Sequence, residues 1–364
     1  MGNRTKKLSR YLPHISVSKR RFNKYDPAAA PARQPLASAP VYSIFSYNEK
    51  ELSEQPMLSD YDPLTLHPQD RITWINVDGL QKDCVEKLCA HYEVHPLLVE
   101  DILSVGQRAK MDEVDNRLFC LLPMIYFNAE TKTIEMEQVS MVTGPDFVLS
   151  FQEDALRDVF DPLRERLRNG NLRIRERGAD YLCYSLLDVI VDSYFGVIDK
   201  LGDSIEALEA RLINKREQGV LMDISCIRKE VMLMKRAILP VRELINGFLR
   251  TENSLIEDRN QKYFKDVSDH IIQANENCDN LRDLLGNLQD MYMNQINLRM
   301  NEVMKIFTMV SLLLAPATVI GGIFGMNFDQ IPLMHNHTGF YISVVAMLLI
   351  PTLMLIYFKW KKWF

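Results

Sequence analysis

The sequence predicts an α+β protein that turns all-helical and ends in a membrane hairpin, and three observations carry this reading. Residues 306–326 and 340–358 hold no charged side chain over 21 and 19 positions, each enough to cross about 30 Å of hydrocarbon. Residues 41–153 alternate short β-like runs with helical segments. From about Ala179 onward, apolar residues recur at spacings of three and four, the signature of packed helices.

The first 24 residues carry eight Lys or Arg and no acid, so the other 35 basic residues face 48 acidic ones and residues 25–364 carry a net −13. No basic groove or aromatic-basic interleaving follows the tail, which argues against nucleic acid as a partner. The tail reads as a disordered arm that touches anionic lipid or nothing. Residues 25–40, rich in Ala and Pro, read as a linker.

Strands are expected over 41–47, 72–77, 117–127, 134–142 and 146–152, and helices over 81–92 and 95–103. Leu201, Ile205, Leu208 and Leu212 form the seam of a packed helix. Pro240 is expected to bend or break the helix that follows. No proline then appears between Gln261 and Pro316. A single helix from there to Met326 would run about 100 Å. Ile271, Ala274, Cys278, Leu281, Leu285 and Leu288 lie along one face of it, as in a coiled coil. Pro316 lies inside the first apolar run, where a mild kink is expected. The expected parts are a tail over 1–40, an α/β domain over 41–175, a helical stalk over 176–302 and a hairpin over 303–364. The spans within that hairpin are expected at about 303–326 and 340–358.

Lys359, Lys361 and Lys362 follow the second span, whereas the loop between the spans carries only Asp329, His335 and His337 as charged or titratable groups. Positive charge stays inside, so both termini are expected in the cytoplasm. Six scattered cysteines with no Cys-x-x-Cys pair, and no signal-peptide-like stretch, agree with a reducing compartment. No phosphate-cradling Gly-rich motif or nucleophile elbow is present, so neither an enzyme nor a small-molecule substrate is expected.

One polar stripe stands out. Steps of three and four from Asn301 reach Met304, Thr308, Ser311, Ala315, Thr318, Gly322 and Gly325, all small or hydroxylated beyond Met304. Backward steps reach Asn297, Asn294, Asp290, Asn287, Asp283 and Asn280. Small hydroxylated stripes serve helix packing in membranes. A wet cation conduit needs the same pattern, and the Asn and Asp rings below the span favour that reading. One hairpin cannot enclose a pore, so conduction requires a ring of subunits.

Gly325-Met326-Asn327 ends the first span and Asn301-Glu302-Val303-Met304-Lys305 begins it. With Glu100-Asp101-Ile102-Leu103, Phe151-Gln152-Glu153, Asp161-Pro162-Leu163-Arg164-Glu165-Arg166, Ala179-Asp180-Tyr181-Leu182, Phe264-Lys265-Asp266-Val267, Asp269-His270 and the basic-aromatic C-terminus, the chain resembles the CorA magnesium and cobalt transporters over roughly residues 41–364. The resemblance implies a homopentamer in the cell (inner) membrane, with a cytoplasmic αβα domain, a funnel of stalk helices and two transmembrane helices per subunit. It implies that Gly325, Met326 and Asn327 form the outer selectivity ring, though Asn327 also suits a helix C-cap. Neutral amide oxygens there would hold Mg2+ through its water shell, which the ion sheds reluctantly. It further implies a lining of Asp290, Asn297, Asn301, Met304, Phe307, Thr308, Ser311, Ala315, Thr318 and Gly322. Phe307 stands where members often carry Leu, and Ala315 where some carry Met, so the narrowest residue stays open.

A second implication is regulation. Glu100 and Asp101 match positions that face Asp266 of a neighbouring subunit, with Asp188 and His270 nearby, so that bound Mg2+ holds the ring closed. Without the resemblance these acids read as ordinary solvated charges. The expected cargo is Mg2+, with Co2+ and Ni2+ as further candidates. Zn2+ is the alternative, on account of His335 and His337. A membrane-anchored scaffold without conduction is the third reading.

Overall fold

The computed structural model describes residues 40–58, 70–153, 158–170, 172–213, 219–326, 331–333 and 337–361. They fall into two compact units divided after Gly286.

The first unit is built on a mixed seven-stranded sheet. Its strands are β1 (Val41–Tyr47), β2 (Leu52–Leu58), β3 (Ile72–Asp78), β4 (Lys110–Val114), β5 (Arg117–Asn128), β6 (Thr133–Thr143) and β7 (Phe147–Gln152). Their order is β2-β1-β3-β7-β6-β5-β4, and only β3 and β7 run parallel. The connection from β3 toward β4 carries α1 (Lys82–His91) and α2 (Pro96–Leu103). The five strands and two helices expected from sequence are all present.

β2 and β4 escaped the sequence reading, and the order explains why. Both are edge strands. An edge strand is paired on one side only and tolerates charge and proline, so Lys110-Met111-Asp112-Glu113-Val114 and the Pro56-containing β2 lack the apolar alternation of central strands.

The two sheet faces are covered differently. Ile44, Ile75, Val77, Leu149 and Phe151 on one face pack against Val85, Leu88 and Cys89 of α1 and Leu98, Val99 and Ile102 of α2. On the other, the Phe45 and Trp74 rings stack at 5.2 Å, and Phe160 meets Trp74 edge-on at 5.8 Å. The Arg164 guanidinium of α3 (Asp161–Arg168) lies over Trp74 at 5.6 Å. A single turn, α4 (Leu172–Arg175), leads to α5 (Ala179–Ile213) and α6 (Val220–Arg250). The Tyr194 hydroxyl of α5 donates to the Pro123 carbonyl of β5, and α5 and α6 pack over β4, β5 and β6. The layers are therefore α, β, α.

α5 is apolar and long enough to cross a membrane, but 78% of its most apolar window is buried in the domain, against 6% in each of the last two long helices. Leu201, Ile205, Leu208 and Leu212 are all buried, as their spacing predicts. Of the two outcomes expected at Pro240, a break does not occur: the helix runs on to Arg250 with Pro240 buried in its packed face. Burial of that face offsets the lost hydrogen bond.

The last helices are α7 (Gln261–Phe324) and α8 (His337–Trp360). At 64 residues α7 is about 96 Å long, close to the expected length. Ile271, Ala274, Cys278, Leu281, Leu285 and Leu288 are all buried. Phe248 of α6 stacks on Phe264 at 5.0 Å, and Lys235 of α6 pairs with Asp279 at 2.5 Å.

A candidate cation conduit and an acidic metal cluster

In the second unit, the least exposed positions of α7 beyond Asn301 are Met309, Leu313, Pro316, Ala317, Ile320 and Phe324, and a Cβ on Gly321 would meet Met347 of α8 at 3.8 Å, which puts α8 on that side. Ser343, Ala346, Met347, Met354 and Phe358 form the corresponding face of α8. At 3.6 residues per turn, the stripe Met304, Thr308, Ser311, Ala315, Thr318 and Gly322 lies about 170° around α7 from that contact. Every member is exposed, as are Asn301, Phe307, Gly325 and Met326. The stripe does not pack the hairpin, so helix packing within the chain is not its purpose.

Hydrogen bonding on the stripe has a direction. The hydroxyls of Thr308, Ser311 and Thr318 donate to the carbonyls of Met304, Phe307 and Leu314, at 2.8, 3.0 and 3.0 Å. Their protons are spent on the helix, which leaves the oxygens of these exposed residues as acceptors. A hydrated cation presents water hydrogens, so a row of acceptors is the complementary surface. Large apolar side chains flank the stripe instead of interrupting it: Val310 and Leu314 to one side, Leu312 and Val319 to the other.

The same construction appears lower on α7. Asn280, Asp283, Asn287, Asp290, Asn294 and Asn297 are exposed, about 180° from the buried Ile271–Leu288 seam. Leu284, Met291 and Leu298 flank them on one side, Met293 and Met300 on the other, all exposed.

At the top, the Gly325 N–H donates to the Gly321 carbonyl at 2.9 Å and closes the last turn. A Cβ on Gly325 would meet that carbonyl at 3.1 Å, tighter than ordinary contact, which is why glycine suits the position. Asn327, His335 and the side chain of His337 lie outside the described residues.

The first unit holds a separate cluster. Asp188 and Asp192 of α5 and His270 of α7 place ligand atoms within 4.8 Å of one another. His270 Nδ1 lies 3.2 Å from Asp192 Oδ1 and 4.0 Å from Asp188 Oδ1. That nitrogen is buried and makes no hydrogen bond. Burial, then the Asp192 carboxylate, pushes the Asp188 carboxyl up to about 6; His270 and Arg166 pull it back, and Asp266 adds to the rise. Two carboxylates and an orphaned imidazole nitrogen fit a divalent cation with oxygen and nitrogen ligands.

The structure thus brings together Asp188, His270 and, electrostatically, Asp266. It leaves Glu100 and Asp101 on α2, across the sheet. Asp192 was missed, although it lies one turn after Asp188, the i,i+4 spacing that puts two acids on one helix face. Lys110 was also missed: its ammonium lies 2.7 Å from Asp101 and 3.0 Å from Asp112.

The raised Asp188 makes a prediction. A carboxyl raised in the fold stabilises it fully below the ordinary value of 3.8, and that contribution is lost as pH rises through about 6. In chelator at pH 8, Asp188→Asn is therefore expected to stabilise the fold by about 2 kcal/mol, with little gain near pH 4. Thermal unfolding at both pH values tests this; no gain at pH 8 refutes the assigned environment.

An αβα domain, a long helix with an exposed polar stripe and a terminal apolar hairpin are the parts of a membrane transport protein. The CorA-like Mg2+ transporter family matches residues 69–361, and the chain belongs to that family. It is 35% identical over 321 residues to the cobalt/magnesium transport protein CorA of Thermotoga maritima, covering 88% of this chain and 91% of that one. It is 29% identical to a putative metal ion transporter of Bacillus subtilis, covering 83% and 93%. Among solved structures, the complete CorA magnesium transporter of Methanocaldococcus jannaschii superposes with a TM-score of 0.73 at 20% identity, covering 90% of this chain and all of that one. At that identity the likeness shows the fold alone.

Proposed function

We propose that this chain forms a homopentameric Mg2+ channel of the cell inner membrane, with both termini cytoplasmic, and that internal Mg2+ closes it. The observation that carries the proposal is the acceptor stripe of α7, turned about 170° from the face that α8 covers. A ring of copies turns these stripes inward, and the apolar flanks Met291 and Leu298 on one side and Met293 and Met300 on the other meet between copies.

The ion moves down its electrochemical gradient. Gly325, Met326 and Asn327 ring the outer mouth, where amide oxygens accept hydrogen bonds from the ion's water shell. Thr318, Ser311 and Thr308 continue that acceptor surface, with Gly322 and Ala315 leaving room between them. Met304 and Phe307 supply the apolar section below, which conducts only when it wets. Asn301, Asn297 and the ring of Asp290 draw cations at the inner end by simple attraction.

Closure uses the acidic groups of the first unit. Glu100 and Asp101 approach Asp266 of the partner subunit, and the carboxylates repel until Mg2+ bridges them. Asp188, Asp192 and His270 hold a second ion. Mg2+ binds the closed ring better, so filling the cell shuts the pore. The alternative cargo is Zn2+, for which His335 and His337 of the outer loop would be the softer ligands.

Flux into proteoliposomes with Mg2+, Co2+ and Zn2+ tests the reading. Mg2+ uptake is expected in the wild chain and a severalfold loss in Asn327→Ala. Equal uptake by both removes the filter assignment, and Zn2+ uptake without Mg2+ uptake selects the alternative.

A further inference from the structure

We propose that Lys110 is a tethered competitor of the regulatory cation, an ammonium already seated on Asp101 that a divalent ion must displace. The inference rests on the reading that Asp101 is a regulatory ligand, and adds what sets the threshold of that site.

The geometry is specific. Lys110 Nζ lies 2.7 Å from Asp101 Oδ2 and 3.0 Å from Asp112 Oδ2, so one cation serves two carboxylates. The Phe119 ring lies 5.9 Å beneath it. Burial pulls the Lys110 ammonium down, but the Asp101 and Asp112 carboxylates outweigh it and leave it above its ordinary value. It remains charged at any pH the cell visits.

Asp101 itself is held. Its carbonyl accepts from Gln107 Nε2 at 3.1 Å and from Gln138 Nε2 at 3.2 Å, and Gln107 N–H donates to Gln138 Oε1 at 3.1 Å. Gln138 N–H in turn donates to Glu153 Oε1 at 3.0 Å. The end of α2 is thus pinned to β6, and the movable partner in the pair is the lysine, whose four-carbon stem is flexible. The pair borders an open cavity of about 690 Å³ that Glu100, Asp112 and Glu113 also line. Glu113 is already committed to Thr251 and Asn253, at 2.9 and 2.6 Å. The carboxylates left to meet an incoming ion are therefore Glu100 and the two that already share the lysine, Asp101 and Asp112.

Two carboxylates on one ammonium, with Glu100 lining the same cavity, leave a net negative site, so a dication is still attracted. It gains only the difference between its own attraction and that of the ammonium it moves aside. The ammonium lowers the affinity of the site without abolishing it, and leaves it empty at low Mg2+ with its carboxylates still neutralised in part. That is the property a sensor needs when it must release its ion on modest depletion.

The test uses the full chain in proteoliposomes and reads the internal Mg2+ concentration that halves the flux. Lys110→Gln and Lys110→Met are expected to lower that concentration about tenfold, the equivalent of about 1.4 kcal/mol. Lys110→Arg keeps the charge and is expected to stay within about twofold of the wild chain. The sign separates this role from structural damage, because a loosened site binds Mg2+ more weakly and moves the midpoint upward. A midpoint unchanged or raised in both neutral variants overturns the proposal. Asp101→Asn separates the two layers. A raised midpoint there with unmoved lysine variants overturns the competitor alone, whereas an unmoved Asp101→Asn overturns the regulatory reading and the proposal with it.

Discussion

Gly322→Leu is expected to cut Mg2+ flux at least about tenfold while leaving the hairpin folded. A Cβ on Gly322 meets nothing within 4 Å, so the subunit has room for the side chain. Leucine also favours the helix over glycine by about 1 kcal/mol. The harm arises only if copies of this face converge. A ring of leucines would then replace a gap between the hydroxyls of Thr318 and the mouth, and an apolar ring that narrow expels water and the hydrated ion with it. Ile323→Leu, one residue on and off the stripe, supplies the comparison and is expected to conduct within about twofold of the wild chain. Proteoliposome uptake of Mg2+ measures both. Wild-type flux in Gly322→Leu would mean that the stripe faces something other than the permeation path.

The largest expected loss of stability comes from Asp180→Ala. Asp180 is 3% exposed at the start of α5, and its carboxylate gathers three donors. Oδ1 accepts from the Tyr181 N–H at 2.8 Å, while Oδ2 accepts from the Glu257 N–H at 3.0 Å and from Asn260 Nδ2 at 2.8 Å. Asn260, with no exposed surface, also accepts from the Arg177 guanidinium, which is held between the Tyr181 and Tyr263 rings at 4.9 and 4.8 Å. One buried carboxylate thus ties the first turn of α5 to the residues that launch α7. Removing it strands the part-buried Glu257 amide N–H and the buried Asn260 carboxamide, at about 2–4 kcal/mol. Thermal unfolding of the full chain in detergent should fall accordingly, with faster hydrogen exchange at the Glu257 amide. Asp180→Asn keeps the shape and one acceptor and should lose less. An unchanged melting point together with an unchanged Glu257 amide would show that the carboxylate holds nothing.

This latch marks where sequence reading stops. Ala179-Asp180-Tyr181-Leu182 was visible as part of a family resemblance, yet nothing local says that Asp180 caps a turn 77 residues away. The same limit hid Lys110: an ammonium nine residues from its carboxylate reads as one more solvated charge until β4 pairs beside α2. Asp192 lay closer to being legible, because its partner Asp188 is one turn back on the same helix. The edge strands were illegible for the opposite reason. Their sequences satisfy water on one side and carry no periodic apolar signal.

By itself the sequence determined the two spans, the unbroken α7, the buried seam Ile271–Leu288 and the polar stripe opposite it. All of these are local periodicities, which backbone geometry converts directly into helix faces. Only the tertiary structure decided that α5, also long and apolar enough to span a membrane, belongs inside the αβα domain, that the buried side of α7 in the hairpin lies away from the stripe, and which carboxylates share the Lys110 ammonium. Those outcomes depend on which surfaces meet across long stretches of chain, and periodicity says which face is apolar or polar but not what will cover it.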